Sequence, residues 1–164
     1  MWPKQFENLD AMSAFLAQHI AFAEGSFSFM GIAPGQTLED IRNSIGEPEE
    51  KTVDTETQQT LQFTAPIDHA THGRRDHHVL RALFLAFNHE PIQLIRIQFN
   101  YYRWGQDSDA FAVSLHALGD ALTAKLGAPS KRSNRRGKHQ FEYAQGKRKL
   151  MLFEGTDSVT IQLM

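Results

Sequence analysis

The sequence contains no cysteine. That excludes a disulfide framework, a thiolate metal site, a catalytic thiol and a cysteine-borne lipid anchor. Long apolar runs are missing too. The longest are only a few residues, against the roughly 20 that a membrane-spanning helix needs, so no membrane is expected among the partners. The opening residues, Met1-Trp2-Pro3-Lys4-Gln5-Phe6-Glu7, have no basic start followed by an apolar run. They read as lacking a secretory leader, which favours a cytoplasmic address. There is no Gly-x-Ser-x-Gly elbow, no phosphate-binding loop with its Lys and no His-Glu-x-x-His. The chain therefore reads as non-enzymatic and free of cofactors.

What is present is a pattern that occurs twice in 164 residues. Gly35-Gln36-Thr37-Leu38-Glu39-Asp40-Ile41-Arg42-Asn43-Ser44-Ile45-Gly46-Glu47-Pro48 is a short amphipathic helix stopped by glycine and proline. Asp120-Ala121-Leu122-Thr123-Ala124-Lys125-Leu126-Gly127-Ala128-Pro129 repeats the device. Ile41, Ile45, Gly46 and Pro48 match Leu122, Leu126, Gly127 and Pro129. Each stop is followed by alternating segments of strand character. The expected fold is α+β and two-layered: tandem repeats of a helix plus an antiparallel three-stranded meander. Residues 1–34 supply an N-terminal helix and a short strand, 35–104 the first repeat and 105–164 the second, forming one compact unit.

Periodicity places a helix over Phe6–Ala23, with Leu9, Met12, Phe15, Leu16, His19 and Ile20 on one face, and a short strand over Ser26–Ala33. Thr37 is an N-cap with Asp40 in the capping-box position. Leu61, Phe63 and Ala65 alternate as in a half-buried strand. Val79–Asn88, the most apolar segment, reads as a strand buried on both faces. In Ile92–Trp104, residues Ile95, Ile97, Phe99 and Tyr101 point one way, and Arg96, Gln98, Asn100, Tyr102 and Trp104 the other. A long helix spans Asp109–Leu126, where Gly119 implies a close packing contact. A basic loop follows, then strands over His139–Ala144, Lys149–Glu154 and Val159–Met164, joined by hairpin turns.

Three groups of residues carry candidate chemistry. His69, His72, His77 and His78 crowd one segment with Asp68 and Asp76. These are metal-ligand types, but Pro66 and Gly73 argue for a loop without fixed geometry, and no metal is assigned. Lys131, Arg132, Arg135, Arg136 and Lys138 form a basic loop, with Lys147, Arg148 and Lys149 in the next turn. The charge is uneven: residues 1–110 carry −7 and 111–164 carry +5. Such a patch suits phosphates or an acidic protein. The polar and aromatic face of the central strand is the third group. Tyr, Trp and Arg dominate protein interfaces because they bury large area with little entropy loss.

The Gly35–Pro48 segment resembles the opening of small outer-membrane assembly lipoproteins of the SmpA/OmlA type. In these, Gly-x-Thr, then Val or Ile, then Leu-Gly-x-Pro leads into a meander. A tandem of such units is similar to the β-lactamase-inhibitor-protein architecture. That resemblance implies a binding protein without catalysis, whose sheet surface meets another protein. The functional expectation is an inhibitory, protein-binding chain; a bacterial immunity protein neutralising a toxin fits the size and the missing chemistry. Its protein-binding residues are Arg96, Gln98, Asn100, Tyr102 and Trp104, rimmed by Arg132, Arg135 and Arg136. The alternative is a small nucleic-acid-binding regulator or adaptor that uses the basic C-terminal loops.

Overall fold

The first helix begins at Asn8, whose side-chain carbonyl accepts from the Ala11 N–H at 2.8 Å. One of the four donors that a helix start leaves open is thereby satisfied. The computed structural model describes residues 1–49, 57–67, 70–71, 74–75, 78–87, 92–102, 108–135, 138–154 and 158–164. Helix α1 (Leu9–His19) is shorter than its periodicity predicts. Ile20–Ala23 forms strand β1 instead, paired antiparallel with β2 (Ser26–Phe29). The reason is local: Glu24 and Gly25 adopt φ of 54° and 79°, the left-handed pair that closes a two-residue hairpin. Helix α2 (Leu38–Ile45) opens with the expected capping box. The Thr37 hydroxyl accepts from the Asp40 N–H, and the Asp40 carboxylate accepts from the Thr37 N–H at 2.9 Å. The bond from the Thr37 backbone, then that from its hydroxyl, hold the Asp40 carboxyl below its ordinary range.

The strands that follow are β3 (Gln58–Ile67), β4 (Ala70–Thr71), β5 (Arg74–Arg75), β6 (His78–Phe87) and β7 (Leu94–Tyr102). Helix α3 (Ser108–Leu126) leads into β8 (Lys131–Arg135), β9 (Lys138–Gln145), β10 (Arg148–Glu154) and β11 (Ser158–Leu163). Seven of these strands form one antiparallel sheet in the order β3-β6-β7-β11-β10-β9-β8, while β4 and β5 form a small hairpin. The fold is α+β: among the described residues, three helices, a seven-stranded antiparallel sheet and short hairpins. The two expected meanders, β3-β6-β7 and β9-β10-β11, are joined edge to edge through β7 and β11; a tandem repeat is not shown.

One face of the sheet carries the core. Phe63, Ala82, Phe99, Ile161, Leu152 and Phe141 are cross-strand neighbours in a row through six strands, and all are buried. Leu9, Met12 and Leu16 of α1, Ile41 and Ile45 of α2, and Leu118 and Leu122 of α3 pack into the same cluster. The helices therefore lie on this face. Beneath Gly119 the Phe141 ring lies 3.4–3.6 Å from where a Cβ would sit, the close approach that the glycine suggested. The outer edge of β3 is occupied. Phe6 N–H donates to Pro66 O at 2.9 Å, the Trp2 indole N–H to Thr64 O at 2.9 Å, and Glu49 N–H to Gln62 O at 2.9 Å.

Three strand expectations need correction. Lys131–Arg135 is an edge strand rather than a loop, formed by pairing with β9 and not by any apolar alternation of its own. Strand β6 buries Leu80, Ala82, Phe84 and Ala86 on the core face, but Phe87 is 41% exposed. A bulge between Leu85 and Ala86 shifts the register with β7. Leu94 takes the core position, 2% exposed, and Ile95 is left only half-buried.

Ser13 is the core's weak point. It is 6% exposed and its hydroxyl has no hydrogen-bond partner among the described residues. It lines a small void between α1, α3 and the sheet. Ser13→Ala removes a desolvated orphan group and improves helix propensity. It is expected to raise stability by about 1 kcal/mol, read as a higher urea midpoint at unchanged slope. A lower midpoint would mean that the hydroxyl is bonded.

Candidate functional site

Strand alternation sends every second residue to the face opposite the helices. Gln62, Leu83, Gln98, Gln162, Met151 and Glu142 form one cross-strand row there, with Thr64, Arg81, Asn100, Thr160, Phe153 and Gln140 beside it. Among the described residues, the buried apolar residues of the helices belong to the cluster on the other side.

At the centre is an amide ladder. Gln162 donates through Nε2 to Gln98 Oε1 at 2.9 Å, and Gln98 Nε2 donates to Asn100 Oδ1 at 3.2 Å. Asn100 is 5% exposed, deeper than a solvent-facing residue, because β6 and β11 flank it on both sides. Arg96 lies opposite Leu85, which is itself 8% exposed. The Arg96 Nε is buried and has no acceptor among the described residues. A guanidinium N–H removed from water without a partner is costly. Further along the sheet Lys149 pairs with Glu142 at 3.3 Å.

The structure brings Arg96, Gln98 and Asn100 onto one face. Tyr102 ends the same strand, paired with Val79 and Ser158. Arg132 is elsewhere, which corrects its expected place on the rim. In β8 it is the cross-strand neighbour of Phe141, a core-face residue, and its guanidinium sits 4.8 Å from that ring's centroid. Alternation puts its neighbours Lys131 and Ser133 on the open face instead. Arg135 ends β8 opposite Lys138. Trp104 and Arg136 lie outside the described residues. Arg81, Phe153 and Met151 share the Arg96 face and were not legible as site residues; in β6 the alternation that would have exposed Arg81 is masked by leucines.

Of the histidine group, Asp68, His69, His72, Asp76 and His77 lie outside the described residues, and His78 opens β6. Among the described residues no group of three or more His, Asp or Glu is placed to hold a metal. His116 and His139 meet edge to face with ring centroids 4.5 Å apart, and the His139 backbone N–H donates to Glu154 at 3.2 Å. A cavity of about 350 Å³ opens beside Phe22, Phe27, Leu126 and Tyr143. Two of its polar side chains are already engaged: Tyr143 with Thr123 and Gly119 O, and Lys125 with Ala17 O and Gln18 O. Burial pushes the Tyr143 hydroxyl above its ordinary range, partly offset by the Thr123 bond.

His19 packs against Phe15 and Phe29, with ring centroids 4.7 and 6.2 Å away. Burial, then the N-terminal ammonium and Lys125, hold its imidazole below the ordinary value of 6.5. The unfolded chain therefore takes up the proton first. Stability contributed by neutral His19 is complete above pH 6.5 and is lost as pH falls through the lowered value. His19→Gln should flatten the dependence of stability on pH just below 6.5; an unchanged slope would mean that His19 is solvated.

The chain matches no known family model and no curated protein. Among solved structures it is similar to a DUF4309 family protein, YjgB from Bacillus subtilis subsp. subtilis strain 168, at 16% identity and a TM-score of 0.43. The similarity covers 96% of this chain and 98% of that one, and it replaces the resemblance to the SmpA/OmlA lipoproteins and the β-lactamase inhibitor protein, which is withdrawn.

Proposed function

We propose that the chain is a non-enzymatic binding protein that docks another protein onto the open sheet face centred on Arg96, Gln98 and Asn100. Tyr102 ends β7 beyond Asn100, and Trp104 follows it in sequence. One observation carries the reading: among the described residues the buried Arg96 Nε has no acceptor, although the amides beside it are bonded to one another. A partner carboxylate that meets the half-buried Arg96 guanidinium from the surface forms a charge-assisted bond. Leu83, Met151 and Phe153 on the same face supply apolar area beside the amide ladder. An inhibitory role, such as toxin neutralisation by an immunity protein in the cytoplasm, is consistent with a chain that acts by covering another protein's surface.

The test is affinity capture from the native cell with immobilised wild type, followed by affinity measurement at two salt concentrations. Arg96→Glu should weaken the captured protein's binding by about 2 kcal/mol or more, with the fold retained. Equal binding by both would remove Arg96 from the interface.

The second reading, nucleic-acid binding, is favoured by one observation. Residues 131–149 hold eight Lys or Arg against a single acidic residue, Glu142. It predicts the reverse order: neutralising Arg135 and Arg136 abolishes binding, affinity falls steeply with salt, and Arg96→Glu matters little.

The finer architecture belongs to this proposal as well. Residues 35–104 and 109–164 are taken as repeats, supported by the shared helix–glycine–proline device and by strand orders that mirror each other about the β7–β11 pair. Homologous sequences in which the two halves align with each other would support this. Homologues without that self-similarity would refute it.

A further inference from the structure

The sheet has two outer edges, and they are treated differently. That of β3 is closed by bonds from Phe6, Trp2 and Glu49. On the outer side of β8 no described residue donates to or accepts from the backbone.

The direction of the free groups follows from the ladder. The Ser130 hydroxyl donates to Glu142 O at 2.9 Å and accepts from Ala144 N–H at 3.1 Å. The backbone groups of Glu142 and Ala144 therefore face the β8 side. Alternation gives Gln140 and Lys138 the same direction, so Lys131, Ser133 and Arg135 make the β8–β9 bonds. Arg132 and Asn134 then present their N–H and C=O groups outward.

We propose that β8 receives an extended acidic segment of a partner protein as an eighth strand. Main-chain bonds would run to Arg132 and Asn134, and carboxylates on the open-face side of the added strand would sit beside Lys131. Charge selects the occupant. The edge segment Lys131–Arg135 carries three cations and no anion. A second copy presenting the same edge is repelled, which is how edge strands avoid self-pairing. Opposite charges in cross-strand register are favourable. The stacking of Arg132 on Phe141 holds one of these cations at the edge. This inference is independent of the open-face reading, because Arg96 lies four strands away.

The test uses a fluorescent eight-residue peptide of alternating valine and glutamate, titrated into the full chain by anisotropy. Three results are expected. The peptide binds, and its counterpart with lysine in place of glutamate does not. N-methylation of alternate peptide amides, which removes the main-chain donors, weakens binding about tenfold or more. Hydrogen exchange at the Arg132 and Asn134 amides of the wild type slows when the peptide is added. Asn134→Pro deletes an outward N–H that the β8–β9 ladder does not use, and should cause a similar loss at unchanged melting temperature. If that variant fails to fold, the exchange and N-methyl measurements on the wild type decide. Arg96→Glu should leave peptide binding unchanged. Equal binding of the N-methylated peptide, no protection at Arg132 and Asn134, or capture of oligothymidylate in place of the peptide would each overturn the proposal.

Discussion

Replacing Phe29 with Ala is expected to lower stability by about 3–5 kcal/mol. The ring is fully buried and joins the N-terminal hairpin to the middle of the sheet. Its centroid lies 4.7 Å from Phe99 of the central strand, 5.8 Å from Phe15 of α1 and 6.3 Å from Trp2. Truncation removes the transfer free energy of the ring and leaves a cavity bounded by three elements that cannot all collapse into it. The edge-to-face contact with Phe99 should appear as a coupling of about 0.5–1.5 kcal/mol in a double-mutant cycle. Urea unfolding measures both. A loss below about 1 kcal/mol would mean that the hairpin is not docked on the sheet.

Leu122→Ala is expected to cost about 2–5 kcal/mol. Leu122 is fully buried one turn after Leu118, on the stripe that seats α3 on the sheet. Gly119 between them brings the helix backbone down onto Phe141, and the Tyr143 hydroxyl ties Gly119 O to β9 at 3.0 Å. With the helix held this close, the side chains around position 122 have little freedom to fill the gap. Both variants should shift the same unfolding transition, because the core row from Phe63 to Phe141 runs without a break across the β7–β11 seam. Two separate transitions, each moved by only one of the substitutions, would mean that the halves unfold independently.

Which parts of this arrangement were legible in the sequence follows from how each is held. Helix α2 was readable in full, because Thr37, Asp40 and Gly46 fix its ends by local hydrogen bonds and a φ of 119° at the glycine. The core side of β7 was readable from alternation, except that the bulge exchanged Ile95 for Leu94. A bulge depends on the partner strand and leaves no mark in its own segment. The end of α1 was missed because Ile20 continues the helical period, while the Glu24-Gly25 turn recruits it into a hairpin. Strand β8 was missed because Lys131–Arg135 has no apolar residue to alternate and borrows its order from β9. The same error placed Arg132 on the Arg96 side of the sheet. Arg96, Gln98 and Asn100 share a face as the period of two requires, but the burial of Asn100 and the unmet Arg96 Nε depend on the strands to either side.

The open face as a docking surface is tested most directly by photo-crosslinking in the native cell. A benzoylphenylalanine replaces Thr160, at the middle of that face, or Asn43, on the exposed side of α2. The account predicts a discrete adduct with one protein from position 160, no such adduct from position 43, and its loss when Arg96→Glu is added. The same adducts from both positions, or an adduct at 160 that Arg96→Glu leaves untouched, would contradict it.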